Sequence, residues 1–223
     1  DDPVQLYLGD GALSDHVGEA VTVRQLLSQN AGMPLGPIGA EVEYAPQSER
    51  PSLRAYLAEE VRPVRDPGTG FLYSNVGFNL LELLVEEVSG RDFAAYMADA
   101  VLDPLGMHRS SFAWDETMRP WMPVGYEQQG TPVPPYVYSV RASGGLFATV
   151  DDIARFVSAE MTGSAYADAA VLEPDSLRVL HTPAVATSGI YRFVADAYGL
   201  GHFIEILPDG QQAVWHGGQE IGR

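Results

Sequence analysis

The sequence contains no cysteine and no lysine. The first absence excludes disulfides, thiolate metal sites and a cysteine nucleophile, and it leaves the compartment open, because either redox environment accepts such a chain. The second makes every one of the 13 basic residues an arginine. Set against 30 Asp plus Glu, they leave a formal charge of −17. Binding a phosphate backbone needs a basic surface, so nucleic acid is not expected as a partner. A solvated acidic surface, or a salty or acidic habitat, accounts for the charge more simply than an acidic interaction tail does. No apolar run is long enough to span a membrane. Asp1-Asp2-Pro3 does not begin a signal peptide.

What is present reads as a globular chain. The 223 residues are 46% hydrophobic, with 23 Gly and 16 Pro. Those Gly and Pro are spread along the chain, which holds no internal repeat and no low-complexity tract. This length buries a sizeable core in one large domain, or in a domain with a sub-domain.

Helix signals dominate the middle of the chain. Thr22 followed by Gln25 suits a capping box, with Leu26 and Leu27 on the apolar face and Gly32 and Pro34 ending the element. Leu53, Leu57 and Val61 recur at helical spacing over residues 51–61, before Pro63 and the Asp66-Pro67-Gly68 turn. The strongest pattern predicts a helix from Asn75 to Ser89. Phe78, Leu81, Leu84, Val85 and Val88 form its apolar stripe, Glu82, Glu86 and Glu87 lie off it, and Gly90 is the stop. A further helix follows from Asp92 through Phe93, Tyr96, Met97 and Ala100 until Pro104 and Gly106. Thr149 and Asp152 cap another, carrying Ile153, Phe156, Val157 and Met161, with Gly163 beyond its end.

Near the end the period changes to two. Tyr198, Leu200, His202, Ile204 and Ile206 alternate with other residues, Pro208-Asp209-Gly210 turns, and Ala213-Val214-Trp215 returns. One hairpin is marginal in water, so this one is expected to belong to a larger sheet.

Three segments could carry chemistry. In Tyr73-Ser74-Asn75, the phenol and the amide two residues apart could face one cleft from an extended segment while Ser74 faces away. Taken alone, Ser74 or Asn75 as a plain helix cap is the simpler reading. Trp215-His216-Gly217-Gly218 closes the hairpin. Its glycines would let a ligand approach the backbone, and the imidazole could supply a hydrogen bond or a conditional charge; a tight turn with a surface His is again simpler. Ala142-Ser143-Gly144-Gly145-Leu146 lacks the flanking glycines of a nucleophile elbow and reads as structural. The five His are widely separated and none pair at helical spacing, which gives a zinc site little support.

In order, these segments resemble the serine β-lactamase and penicillin-binding protein family, in its branch of class C β-lactamases, DD-peptidases, D-aminopeptidases and esterases. Residues Thr22 to Pro34 are similar to the helix and loop before the active site, and Pro67 to Asn75 to the segment around Tyr-x-Asn. Pro104-Leu105-Gly106-Met107 and Ser143-Gly144-Gly145-Leu146 with Asp151 to Phe156 match later loops. His216-Gly217-Gly218 falls where the family has Lys-Thr-Gly or His-x-Gly. The resemblance implies an α/β (α+β) fold of the β-lactamase/DD-peptidase kind, an antiparallel sheet with a mainly helical sub-domain. Residues 1–223 then form one incomplete domain, with 20–182 the helical part and 196–223 a hairpin of the sheet part. The family's nucleophile lies in Ser-x-x-Lys, which a chain without Lys cannot contain. In relatives that motif shortly precedes the segment that Asp1-Asp2-Pro3-Val4 resembles, and strands and a helix follow His-x-Gly. The chain is therefore expected to be cut at both ends and inert alone.

The implied chemistry is attack by an upstream Ser on an acyl carbonyl, then hydrolysis of the acyl-enzyme. The implied substrates are β-lactams, D-alanyl peptides or esters. Tyr73 would transfer protons; serving as a base near neutrality asks for a shift of about 3 units, or roughly 4 kcal/mol of phenolate stabilisation from nearby cations. The absent Lys would be one and His216 a second. Asn75 would hold the Lys and the substrate amide, and the Gln219 backbone N–H, beyond Gly217 and Gly218, would join an oxyanion hole. His in place of the third-motif Lys tilts the expectation towards a peptidase or esterase. The alternative is a catalytically inactive binding module of the same shape. No cofactor is implied, and the resemblance suggests a bacterial, extracytoplasmic protein.

Overall fold

The structure, a computed structural model, describes residues 1–8, 21–36, 41–43, 52–60, 62–133, 136–138, 140–162 and 171–218. Its longest helix is α4, Asn75–Ser89. It starts where Ser74, in extended backbone, accepts a hydrogen bond from the Gly77 N–H, and it ends where Gly90 turns left-handed at φ 65°. Both bounds are those the sequence predicts.

The buried face of α4 is not the predicted one. Asn75, Val76, Gly77, Asn79, Leu80, Glu82 and Leu83 are the buried positions, Leu81 and Leu84 are partly buried, and Val88 is 61% exposed. The helix is apolar almost all round, so spacing alone does not choose a face. Its neighbours choose it: α1 (Gln5–Leu8), α2 (Val23–Leu27), α3 (Leu53–Glu60) and α5 (Phe93–Met97) all pack against α4. Val4, Leu8, Leu26, Met33 and Leu57 close that core.

Glu82, expected off the apolar stripe, is 1% exposed. Arg141, itself 4% exposed, explains it. One Glu82 oxygen accepts the Arg141 Nε–H at 2.9 Å; the other accepts the backbone N–H groups of Arg141 at 2.6 Å and Ala142 at 2.9 Å. The same guanidinium reaches Glu86 at 2.7 Å and Asp92 at 2.8 Å. Burial pushes the Glu82 carboxyl up, and Arg141 with the two N–H groups offsets part of that. The arginine thus fastens the loop before α6 (Val150–Thr162) to the central helix.

Other helices follow their caps more closely than their predicted lengths. Thr22 and Gln25 form the predicted capping box, yet α2 stops at Leu27 instead of running on to Gly32. Asp92 caps α5, which continues as a π-helical turn over Ala98–Leu102. Thr149 Oγ1 accepts the Asp152 N–H at 3.3 Å. On α6 only Phe156 of the predicted apolar set joins a core, with Leu102, Leu105 and Met107. Ile153, Val157 and Met161 are 40%, 45% and 79% exposed. Pro51, Val61 and Gly163, counted in the predicted helices and their ends, lie outside the described residues.

The hairpin belongs to a four-stranded antiparallel sheet in the order β5 (Val185–Ala186), β6 (Ala197–Tyr198), β7 (Phe203–Ile206), β8 (Gln212–Trp215). The alternation from Tyr198 to Ile206 is two strands, not one. The Gly199 N–H donates to the His202 carbonyl at 2.8 Å, and this tight turn separates β6 from β7. A methyl at Gly199 would stand 2.4 Å from the Leu180 carbonyl oxygen, so only glycine fits the turn against α7 (Pro174–Leu180). Two short antiparallel ribbons complete the described strands: β1 (Glu41–Glu43) with β4 (Tyr136–Tyr138), and β2 (Gly125–Tyr126) with β3 (Pro132–Val133).

Candidate active site

The Tyr73 segment is held by a loop that precedes it by more than 40 residues. Gln29, 2% exposed, adopts φ 56°, a left-handed conformation uncommon for a residue with a side chain. That turn aims its carboxamide at Ser74: Oε1 accepts the Ser74 N–H at 2.8 Å and Nε2 donates to the Ser74 carbonyl at 3.2 Å. Its own carbonyl accepts the Leu72 N–H at 2.8 Å. Asn30 Oδ1 takes the Gly70 N–H at 2.9 Å, and Ser74 Oγ donates to the Pro34 carbonyl at 2.6 Å. Residues 70–75 thus run as an extended stretch satisfied by loop 29–35, with Ser74 spent on the helix cap and Asn75 the first helical residue.

Gln29 is a positioning residue that sequence reasoning passed over inside a motif. Only its tertiary hydrogen bonds distinguish it from a solvated glutamine. Replacing it with alanine leaves two buried backbone groups of Ser74 unpaired. Gln29→Ala is expected to cost about 1–3 kcal/mol of stability. Thermal unfolding checks this effect.

On the other side of Tyr73 stands the sheet. Its ring stacks on Tyr191 at a centroid distance of 5.6 Å and on Phe203 at 6.1 Å, and lies 5.9 Å from the His216 ring. Phe203 in turn stacks on Trp215 at 4.8 Å and sits 5.5 Å from His216. Beneath them Phe71 and Tyr198 are buried. This aromatic wall brings together side chains 143 positions apart: the Tyr73 hydroxyl and His216 Nε2 are 3.3 Å apart. The imidazole tautomer sets which of them donates.

The electrostatics of the pair are as important as its distance. Burial and the neighbouring Tyr191 push the Tyr73 phenol above its ordinary value. Crowding by the rings pushes the His216 imidazole below its ordinary value, against a smaller opposing hydrogen bond with the Gly217 backbone, although the residue keeps one side open to water. His216 is therefore neutral near pH 7 and gives the phenolate no full charge. A base with a depressed folded-state pKa contributes stability that is present above its unfolded value, about 6.5, and lost as the pH falls from there through the lower folded-state value.

Asn75 is 8% exposed at the start of α4, two residues after Tyr73 in the chain. Its backbone N–H donates to the Leu35 carbonyl at 3.0 Å. Gly217 and Gly218 follow His216 as exposed backbone, and a side chain at Gly218 would meet nothing within 4 Å. Gln219 lies outside the described residues. The Gly144-Gly145 pair has a packing reason: a methyl at Gly145 would stand 2.7 Å from the Arg141 Cα.

Helices gathered on a central α4, an antiparallel sheet beside them, and a Tyr-x-Asn segment meeting a His-x-Gly strand end define a protein of the serine β-lactamase and penicillin-binding class. The chain belongs to the Beta-lactamase family, whose model matches residues 1–223. A human beta-lactamase-like protein is 27% identical over 199 residues, covering 86% of this chain and 39% of its own length. The octameric penicillin-binding protein homologue of Pyrococcus abyssi superposes with a TM-score of 0.70 at 25% identity, over 96% of this chain and 49% of that one. A D-stereospecific amidohydrolase from Streptomyces shares the fold, with a TM-score of 0.74 at 23% identity over 100% of this chain and 68% of its own. The chain thus spans well under half of the human relative and about half of the archaeal one.

Proposed function

We propose that this chain supplies the Tyr-x-Asn and His-x-Gly parts of a serine-dependent acyl hydrolase that works through an acyl-enzyme. Its Ser-x-x-Lys nucleophile motif would be carried by polypeptide outside these residues. The observation that carries the reading is the 3.3 Å approach of the Tyr73 hydroxyl to His216 Nε2. In the proposed cycle Tyr73 takes the proton of the nucleophilic serine as the carbonyl is attacked and returns one to the leaving group. Asn75 holds the acyl amide and the lysine, while Gly217 and Gly218 leave the strand edge open for the substrate backbone. The Gln219 N–H is assigned to the oxyanion hole.

His216 distinguishes substrate classes. A third-motif lysine would present a permanent cation to a substrate carboxylate. An imidazole held below its ordinary pKa does not at pH 7, and a chain of net charge −17 repels anions further. We therefore assign neutral or weakly anionic acyl compounds, such as esters and peptides, ahead of β-lactams. Full-length protein is expected to hydrolyse short neutral acyl esters faster than nitrocefin; faster nitrocefin turnover overturns the assignment. Acidification through pH 6.5 and below protonates His216. The ratio of kcat/KM for a carboxylate-bearing peptide to that for a neutral ester should then rise, and His216→Lys should flatten the dependence.

A second reading, an inactive module that keeps the binding shape, draws on the raised Tyr73 phenol, which is the wrong direction for a base. Covalent labelling of the full-length protein by a fluorescent penicillin or a fluorophosphonate separates the two. Labelling supports the hydrolase, and its absence with both reagents supports the module.

A further inference from the structure

The five histidines are far apart in sequence, and the fold brings two of them together with a carboxylate away from the Tyr73 site. Glu160 lies on α6, His181 is the residue that caps the C-terminus of α7, and His202 occupies the turn between β6 and β7. His202 Nε2 stands 3.2 Å and His181 Nε2 4.0 Å from the same Glu160 oxygen, Oε2. The three donor atoms lie within 4.8 Å of one another. The two imidazoles meet edge to face, with centroids 5.3 Å apart. All three side chains are largely withdrawn from water, at 22%, 18% and 15% exposure for His181, Glu160 and His202.

An ion pair between Glu160 and His202 uses only part of this arrangement. His181 Nε2 is buried and has no hydrogen-bond partner among the described residues. A buried polar atom left unpaired is costly, and here it points to within 4.0 Å of an oxygen already shared with a second imidazole. One cation among the three would satisfy all of them. In a tetrahedral site with bonds of about 2.0–2.1 Å, donors stand roughly 3.3–3.5 Å apart. The two distances to Glu160, 3.2 and 4.0 Å, bracket that spacing, and the separation between the imidazole donors, no more than 4.8 Å, closes to it by movement of the side chains.

The backbone that carries the donors is already fixed. The His202 carbonyl is held by the Gly199 N–H at 2.8 Å, the His181 carbonyl by Gln212 Nε2 at 2.5 Å, and the Leu180 carbonyl by the Leu200 N–H at 2.9 Å. Two imidazole nitrogens and one carboxylate oxygen are the donor set of a borderline transition metal, and too nitrogen-rich for calcium or magnesium.

We propose that Glu160, His181 and His202 form a binding site for a divalent transition metal of the zinc class, with its remaining coordination position filled by water. The site ties α6 and α7 to the β6–β7 turn. His202 directly precedes Phe203, whose ring stacks on that of Tyr73, so the bound ion also steadies one wall of the candidate active site.

The test uses the full-length protein, stripped with a chelator and dialysed against zinc, with metal content measured by mass spectrometry. Wild type should hold one more zinc equivalent per chain than His181→Ala or Glu160→Gln. It should also show a zinc-dependent rise in Tm that both variants lose. Cobalt in place of zinc should give the intense visible bands of a four-coordinate site in wild type alone. Both variants replace partly buried side chains near the C-terminal ends of α6 and α7, and circular dichroism before metal addition verifies that they are folded. Equal zinc content in wild type and variants, or equal zinc-dependent shifts in Tm, overturns the proposal.

Discussion

Tyr73→Phe in the full-length protein is expected to lower the acylation rate by about 10²–10⁴-fold, the usual contribution of a positioned proton-transfer group. The substitution removes one oxygen and leaves the ring. The stacking on Tyr191 and Phe203 does not depend on the hydroxyl, and its recorded hydrogen-bond partner is His216 at 3.3 Å. Tm is therefore expected to stay within a few degrees of wild type, which separates a chemical effect from unfolding. The size of the loss follows from the electrostatics. The surroundings described raise the phenol, so the cations of the proposed complete site would have to overcome that shift as well as the roughly 3 units separating a free phenol from neutrality. A phenylalanine cannot use that stabilisation at all. Unchanged single-turnover acylation by the variant would remove Tyr73 from the mechanism.

Glu82→Ala is expected to destabilise the protein by about 3–5 kcal/mol, because it removes the one fully buried carboxylate paired with the Arg141 charge. The carboxylate also accepts the backbone N–H groups of Arg141 and Ala142, which the truncation would leave without their partner. Glu86 and Asp92 remain on the same guanidinium; both are more exposed than Glu82, at 25% and 50% against 1%, and they hold its far end. A control sits on the same helix. Glu87 pairs with Arg54 at the surface, with side chains 36% and 41% exposed. Glu87→Ala should cost no more than about 1 kcal/mol. Urea denaturation of both variants checks the contrast, and similar losses for the two would show that Arg141 finds other partners once Glu82 is gone.

These two predictions differ in how far the sequence anticipates them. Tyr73, Asn75, His216 and the two glycines are visible as short motifs whose order along the chain resembles the family. The distance between the phenol and the imidazole is not visible. Nor is the clamp of Gln29 on Ser74, since a buried glutamine with positive φ looks like any other glutamine in a string of letters. The Glu160, His181 and His202 cluster escapes for the same reason. Helical spacing cannot relate residues on two helices and a turn.

The sequence by itself determined the features set by near neighbours. The capping box of Thr22 and Gln25, the start of α4 at Ser74 and its stop at Gly90, and the turn at Pro208-Asp209-Gly210 all rest on hydrogen bonds or dihedral preferences within a few residues. Tertiary structure alone decided which side of α4 is inside, because that helix offers apolar residues in nearly every direction and burial depends on what is packed against it. It also placed Glu82 in the core, since the cost of burying a carboxylate is met by an arginine 59 residues away. And it divided the alternating run 198–206 into two strands, where a tight turn at Gly199 takes the place of continued pairing.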